Sequence, residues 1–279
     1  TKTLYPLHMK KSVLKSLLTV AVLLTVSQFS FGQHRTCGTM LHMAEKQNQD
    51  PKLKIRLEQA ESMIQDYLAK HPQSAQRSTT VPDTIPVVVH VVYKTAAQNV
   101  SVAQIQSQID VLNADFDRLN ADTVNTPTPW KPIAGGLPYY FVLARRDPNG
   151  ASTTGITRTS TTTSTFSTND AVKYTAQGGE DAWNTAEYFN IWVCNLGGGI
   201  LGYAQFPGGP SATDGVVLDD NATGNMGTAA APFNKGRTAT HEVGHWLNLR
   251  HIWGDATCGS DLVSDTPTHN TANYGCPAQ

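Results

Sequence analysis

Three of the nine histidines, His241, His245 and His251, stand in one short stretch, THEVGHWLNLRH (residues 240–251), and Glu242 directly follows the first. Residues four apart on a helix share a face, so His241 and His245 can both offer a ring nitrogen to one zinc ion at about 2.0–2.1 Å. Glu242 leaves the same turn at an adjacent angle. It can act on a water molecule without ligating the metal, which is what a general base in metal-assisted hydrolysis must do. The plainer alternative is a helix with two incidental histidines, or a zinc site without chemistry. A catalytic zinc takes three protein ligands and keeps one position open. One usual third ligand is a later Glu, and no Glu follows Glu242; the other is a His ten residues after the first, and His251 is there. Along an unbroken helix His251 would lie about 9 Å beyond His245 and about 240° round from it. The helix must therefore end and the chain must turn back. Asn248 stands between them, and after Gly it is the residue type that best accepts the left-handed backbone such a turn needs.

The elements that must hold these residues follow from periodicity. The apolar run Ile85–Tyr93 (IPVVVHVVY) suits a buried strand. His90 lies within it and reads as a satisfied core residue, not a ligand. Ser101 caps a helix, with Gln104 as its reciprocal partner, whose apolar face is Val102, Ile105, Ile109, Leu112, Phe116 and Leu119. Further strands are expected at 139–144, 189–195 and 215–219, with a Ser/Thr-rich loop over 152–168. Cys194, inside a strand, reads as a buried thiol. The glycines 197–199 lack the Lys-Ser/Thr and the helix of a phosphate-binding loop.

The chain has 279 residues, 39% hydrophobic and 15% charged, with a formal net charge of −1. That balance suits a globular protein and argues against nucleic acid or acidic membrane surfaces as partners. Met9-Lys10-Lys11, the apolar run Val13–Val26 and small residues before Gln33 have the layout of a secretory signal peptide over 9–32, with 1–8 upstream of it. The run is too short to span a membrane comfortably, which needs about 20 residues, so no stable insertion is expected after its removal. Residues 33–80 read as a pro-peptide: Leu57, Ala60, Ile64, Tyr67 and Leu68 recur at helical spacing over 52–71, followed by a polar linker at 73–82. Residues 81–279, which hold the histidine stretch, read as the catalytic domain. Export permits disulfides; among four cysteines three full pairings are possible.

HEVGHWLNLRH resembles the HExxHxxGxxH element of metzincin metallopeptidases. Residues 196–207 (LGGGILGYAQFP), 215–220 (GVVLDD), 251–267 (HIWGDATCGSDLVSDTP) and the GCP at 275–277 resemble the pappalysin family of secreted peptidases. The resemblance covers roughly residues 85–279. It implies an α+β zincin fold, with a twisted mixed sheet backed by one helix and an active-site helix below. It implies zinc on His241, His245 and His251, Glu242 as the base, and a protein or peptide as substrate. Leu201, Gly202, Tyr203, Ala204 and Gln205 resemble the edge strand that pairs with the substrate. Arg35-Thr36-Cys37-Gly38 resembles the Cys-Gly pair of pappalysin pro-peptides, in which a thiolate fills the open zinc position; a disulfide is the alternative role for Cys37. Cys258 and Cys276, in the loop region after the zinc motif, are expected to bridge. Asp255, Asp261, Asp265 and the Thr266 carbonyl form an oxygen-rich cluster where pappalysins bind calcium; solvated turn carboxylates are the alternative. Two features depart from the family pattern. Asn replaces Gly at 248, and the last methionine is Met226, so the Met-turn of the family is expected beyond Gln279 and the C-terminal subdomain reads as incomplete. The whole predicts a secreted zinc endopeptidase made as a zymogen. The alternative from another class is a zinc-containing binding or adhesion protein without activity.

Overall fold

The computed structural model describes residues 35–71, 83–264 and 266–273. The signal-peptide region, the linker, Asp265 and Cys276 lie outside them. The described residues belong to one compact unit. Its elements are β1 (Thr36–Cys37), α1 (Thr39–Gln49), α2 (Lys52–Lys70), β2 (Asp83–Tyr93), α3 (Val102–Phe116), β3 (Tyr139–Leu143), β4 (Ile156–Ser160), β5 (Phe189–Cys194), β6 (Ile200–Ala204), β7 (Val216–Asp219) and α4 (Arg237–Trp246).

The strands form one seven-stranded sheet in the order β1-β6-β7-β5-β2-β3, with β4 also on β2, beyond β3 along the strand. Every pairing is parallel except β6 with β7. β2 and β5 lie inside and are covered on both faces, which is why their sequences are unbroken apolar runs and not alternating ones. Alternate side chains still serve different layers. Val87, Val89, Val91, Ile191, Val193, Val216 and Leu218 meet α3 and α4 on one face; Val92, Trp192, Cys194 and Val217 meet Phe166, Val172 and Tyr203 on the other. The fold is the expected α+β arrangement, a mixed sheet with a backing helix and a separate helix bearing the histidines.

His90 is fully buried, between Thr157 Oγ1 at 2.8 Å and Asn190 Oδ1 at 2.9 Å, and Cys194 is buried as expected. Two expectations need correction. Ser101 does cap α3 by accepting from the Gln104 N–H, but the reciprocal half is missing. The Gln104 side chain is buried and ties down the loop after β7, donating to the Asp220 and Thr223 carbonyls; buried carbonyls compete for its amide more strongly than an exposed cap does. Val102 and Leu119 are exposed, because α3 ends at Phe116 and the core reaches only Ile105, Ile109, Leu112 and Phe116. The helix expected over 52–71 is α2; its stripe Ile64, Tyr67, Leu68 is exposed, and Leu53 is its buried residue. A helix was not foreseen at 39–49. Its sequence is mostly polar, and it packs on β6.

Candidate metal centre

α4 begins after Gly236 and carries His241 and His245 one turn apart, their rings perpendicular with centroids 4.7 Å apart. The helix then stops by a Schellman turn. The Asn248 N–H donates to the His245 carbonyl at 2.9 Å and the Leu249 N–H to the Gly244 carbonyl at 2.8 Å, with Asn248 at φ 74°. The left-handed residue thus falls at the position expected from sequence. The turn has a chemical consequence: it aims the Leu249 carbonyl back at His245 Nδ1, 2.8 Å away. Past it, the chain delivers His251, whose Nδ1 lies 2.7 Å from Asp255 Oδ1 and whose ring stacks on Trp253 at 4.3 Å and 6°.

These partners settle where the ring protons are. A carbonyl and a carboxylate can only accept, so Nδ1 carries the proton in His245 and His251, and both Nε2 atoms present lone pairs. Those Nε2 atoms face each other at 3.2 Å, with His241 Nε2 at 3.1 Å from one and 3.2 Å from the other. Lone pairs so placed repel unless a cation lies between them. Three nitrogens held about 2.0–2.1 Å from one tetrahedral zinc stand about 3.3 Å apart, so the donor set fits the ion. Burial, the neighbouring imidazoles adding to it, lowers the His241 pKa to about 3; burial also lowers that of His245, to about 4. The fall is smaller at His245 because the Leu249 carbonyl bonded to its ring opposes it. Both rings are neutral at physiological pH, as metal ligation requires.

Cys37 completes the group: its Sγ and the three imidazoles offer ligand atoms all within 4.8 Å of one another. β1 places it there by adding to the edge of the sheet, Thr36 opposite Ile200 and Cys37 opposite Gly202. Residue 38 must be Gly, because a Cβ would come within 2.9 Å of both Ile200 Cγ2 and Thr168 Cγ2. Just before it, the Arg35 guanidinium reaches Asp219 Oδ2 at 3.2 Å, the Ile200 carbonyl at 3.4 Å and Asn221 Oδ1, and lies 5.6 Å from the Phe233 ring. Just after it, α1 is pinned by Lys46 on the buried Asp170 at 2.7 Å and by His42 Nδ1 on the Thr168 carbonyl at 2.8 Å.

Glu242 is buried and its Oε2 receives two donors, Thr39 Oγ1 at 2.7 Å and Cys37 Sγ at 3.5 Å. Burial pushes its pKa up to about 7; those two hydrogen bonds oppose the rise. Burial and then the Glu242 charge push the Cys37 thiol well above the ordinary thiol range, so it becomes a thiolate only with a cation beside it. Thr39 was missed in the sequence. Its hydroxyl also accepts from the Ala204 N–H at 2.8 Å, and so spans the edge strand and the carboxylate. A hydroxyl two residues after a Cys carries no recognisable signal in sequence. Of the edge residues, Leu201–Ala204 lie in β6 and Gln205 just beyond it, its amide turned onto Pro210 and Thr213. Of the proposed calcium ligands, Asp255 contacts His251, while Asp261 is buried and accepts from the Val263 N–H at 3.1 Å.

The family model described as pregnancy-associated plasma protein-A matches residues 173–277. In solved structures, promirolysin of Tannerella forsythia is 51% identical, with a TM-score of 0.74 over 88% of this chain and 80% of that one. Mature mirolysin of the same organism, in complex with a cleaved peptide, is 56% identical over 72% of this chain and 77% of that one, with a TM-score of 0.69. The chain belongs to the pappalysin family of metzincin metalloendopeptidases. Similar curated proteins are named extracellular metalloproteases. That of Arthroderma otae is 40% identical over 111 residues, 36% of this chain, and that of Verticillium alfalfae 31% identical over 213 residues, 69% of this chain. The chain spans only 37% of the first of these and 62% of the second. Among the described residues no helix is long and apolar enough to cross a membrane.

Proposed function

We propose that this chain is the latent form of a secreted zinc endopeptidase, with His241, His245 and His251 as metal ligands, Glu242 as catalytic base and Cys37 as the group that blocks the fourth position. One observation carries the reading: a Cys on a segment added to the sheet edge meets three converging imidazoles, while Thr39 in the next turn covers Glu242 beside them. The extracellular relatives and the promirolysin likeness support secretion and latency.

When bound, zinc supplies Lewis-acid polarisation of a peptide carbonyl and makes water easier to deprotonate. The chain's own residues do the rest. β6 offers backbone groups to an extended substrate where β1 now lies. Glu242 takes a proton from the attacking water and returns it to the departing amine, so that one amide bond and one water become a carboxylate and an amine. A carboxyl raised toward neutral pH by burial suits this exchange, since it can both accept and release the proton. The N-terminal segment prevents all three steps: Cys37 occupies the metal face, Thr39 occupies Glu242, and β1 with Thr39 occupies the edge strand.

The test is metal analysis and proteolysis of the purified chain before and after removal of residues up to the linker. One zinc per chain is expected, with protein cleavage only after removal, and none in Glu242→Ala. Absence of zinc, or cleavage by Glu242→Ala, refutes the proposal.

A further inference from the structure

We infer that Asp255 is a positioning residue for the third zinc ligand, holding the His251 imidazole through its Nδ1–H and supplying it with negative charge. This inference rests on the zinc reading above.

The three ligands are not held alike. His241 and His245 ride on α4, where the backbone already fixes the origin and direction of each side chain. His251 lies beyond the helix end, on a stretch with no regular element, so nothing in its backbone orients the ring. The loop that follows does this instead. The Gly254 N–H donates to the His251 carbonyl at 2.8 Å, closing a tight turn, and Gly254 and Asp255 take φ of 58° and 53° in succession. Two left-handed residues in a row reverse the chain and bring the Asp255 carboxylate to the Nδ1 edge of the ring that precedes it by four residues. A non-glycine residue in that conformation is disfavoured and persists where its surroundings compensate. Here the compensation is the 2.7 Å contact to His251, itself buried. Trp253, between them, closes the ring's face. The imidazole is thus fixed by an edge contact and a face contact, both from the four residues after it.

The partners also differ in charge. His245 donates to a neutral carbonyl, His251 to a carboxylate. A carboxylate behind a ligating imidazole fixes its tautomer and makes it a stronger donor, and loss of such a partner typically weakens metal binding by about 10- to 100-fold. The residue at 255 therefore does for His251 what the helix does for the other two ligands.

The experiment is zinc affinity of the latent full-length chain, measured by competition with a chromogenic chelator, for Asp255→Ala, Asp255→Asn and His251→Ala. Asp255→Ala is expected to bind about 10- to 100-fold more weakly. Asp255→Asn, which keeps an acceptor oxygen without the charge, is expected to fall between it and the unaltered chain. With cobalt in place of zinc, the visible ligand-field bands of Asp255→Asn are expected to shift, which a merely structural residue would not cause. Melting in excess chelator separates metal affinity from folding, and Asp255→Asn carries the test if Asp255→Ala does not fold. Affinity within about twofold of the unaltered chain for both variants, with unshifted cobalt bands and His251→Ala impaired, would overturn the inference and leave the zinc reading intact. Recovery of the lost zinc affinity on adding calcium would also overturn it, by assigning Asp255 to that ion. Failure of the unaltered chain to take up zinc would sink both.

Discussion

Replacing Thr39 with Val removes one hydroxyl, keeps the side-chain shape, and strips two contacts from the latent state at once. The Thr39 Oγ1 to Glu242 Oε2 bond is 2.7 Å long, both residues are buried, and the acceptor is a carboxylate. A hydrogen bond to a charged group is worth about 1.5–3 kcal/mol, and the neutral one from the Ala204 N–H adds about 0.5–1.5 kcal/mol. The two share a hydroxyl, so their losses couple and the lower part of the sum is the safer expectation, about 2–3 kcal/mol. At 1.36 kcal/mol per tenfold, the fraction of chains with the segment lifted off the cleft should rise about 30- to 150-fold. Since the free catalytic face does not contain Thr39, the loss falls on the latent form alone. The assay is the lag before a freshly purified chain begins to cleave a quenched fluorescent peptide. Thr39→Val should shorten it by that factor, and Thr39→Ser, which keeps the hydroxyl, should restore most of it. A Thr39→Val lag indistinguishable from that of the unaltered chain, with the altered protein folded, would refute the view that the base and the edge strand are blocked through this hydroxyl.

Cys37→Ala should activate without delay or cleave itself during purification, seen as loss of the N-terminal segment on a gel; retained latency would count against a thiolate lock. Arg35→Gln should shorten the lag less, because it loosens a partly buried anchor to Asp219 and leaves Cys37 in place. Asn248→Gly should leave metal content unchanged, since glycine accepts φ 74° freely, whereas Asn248→Val, costing about 1–2 kcal/mol for a left-handed β-branched residue, should lower zinc retention in dialysis. For pH, Glu242 has a folded pKa of about 7, above its ordinary 4.5. The folded chain therefore binds more protons than the unfolded one between those values, and this group makes stability fall as pH rises through that window. Urea melts in chelator should show Glu242→Gln gaining on the unaltered protein between pH 5 and pH 8, by at most about 3 kcal/mol; an equal gap at both ends would deny the raised pKa.

What the sequence determined by itself is local. Helical spacing put His241 and His245 on one face and Glu242 beside it; the composition of 85–93 and 189–194 made buried strands; and Asn248 marked a left-handed turn because few other side chains tolerate that backbone. The resemblance to a family supplied the expected roles of Cys37 and the edge strand. What only the tertiary structure decided are contacts between residues far apart in sequence, or between residues whose separation says nothing of direction. Gln104 looked like half of a capping box, yet it serves a loop more than a hundred residues away. Thr39 reaches Glu242 and Ala204 only because β1 adds to β6 in one register. Asp255 looked like one of several loop carboxylates, and two left-handed residues turned it onto His251. The physical reason is the same in each case. Periodicity and propensity report on the chain's own backbone, whereas a polar side chain takes the partner that burial leaves within reach, and that choice exists only once the chain has packed.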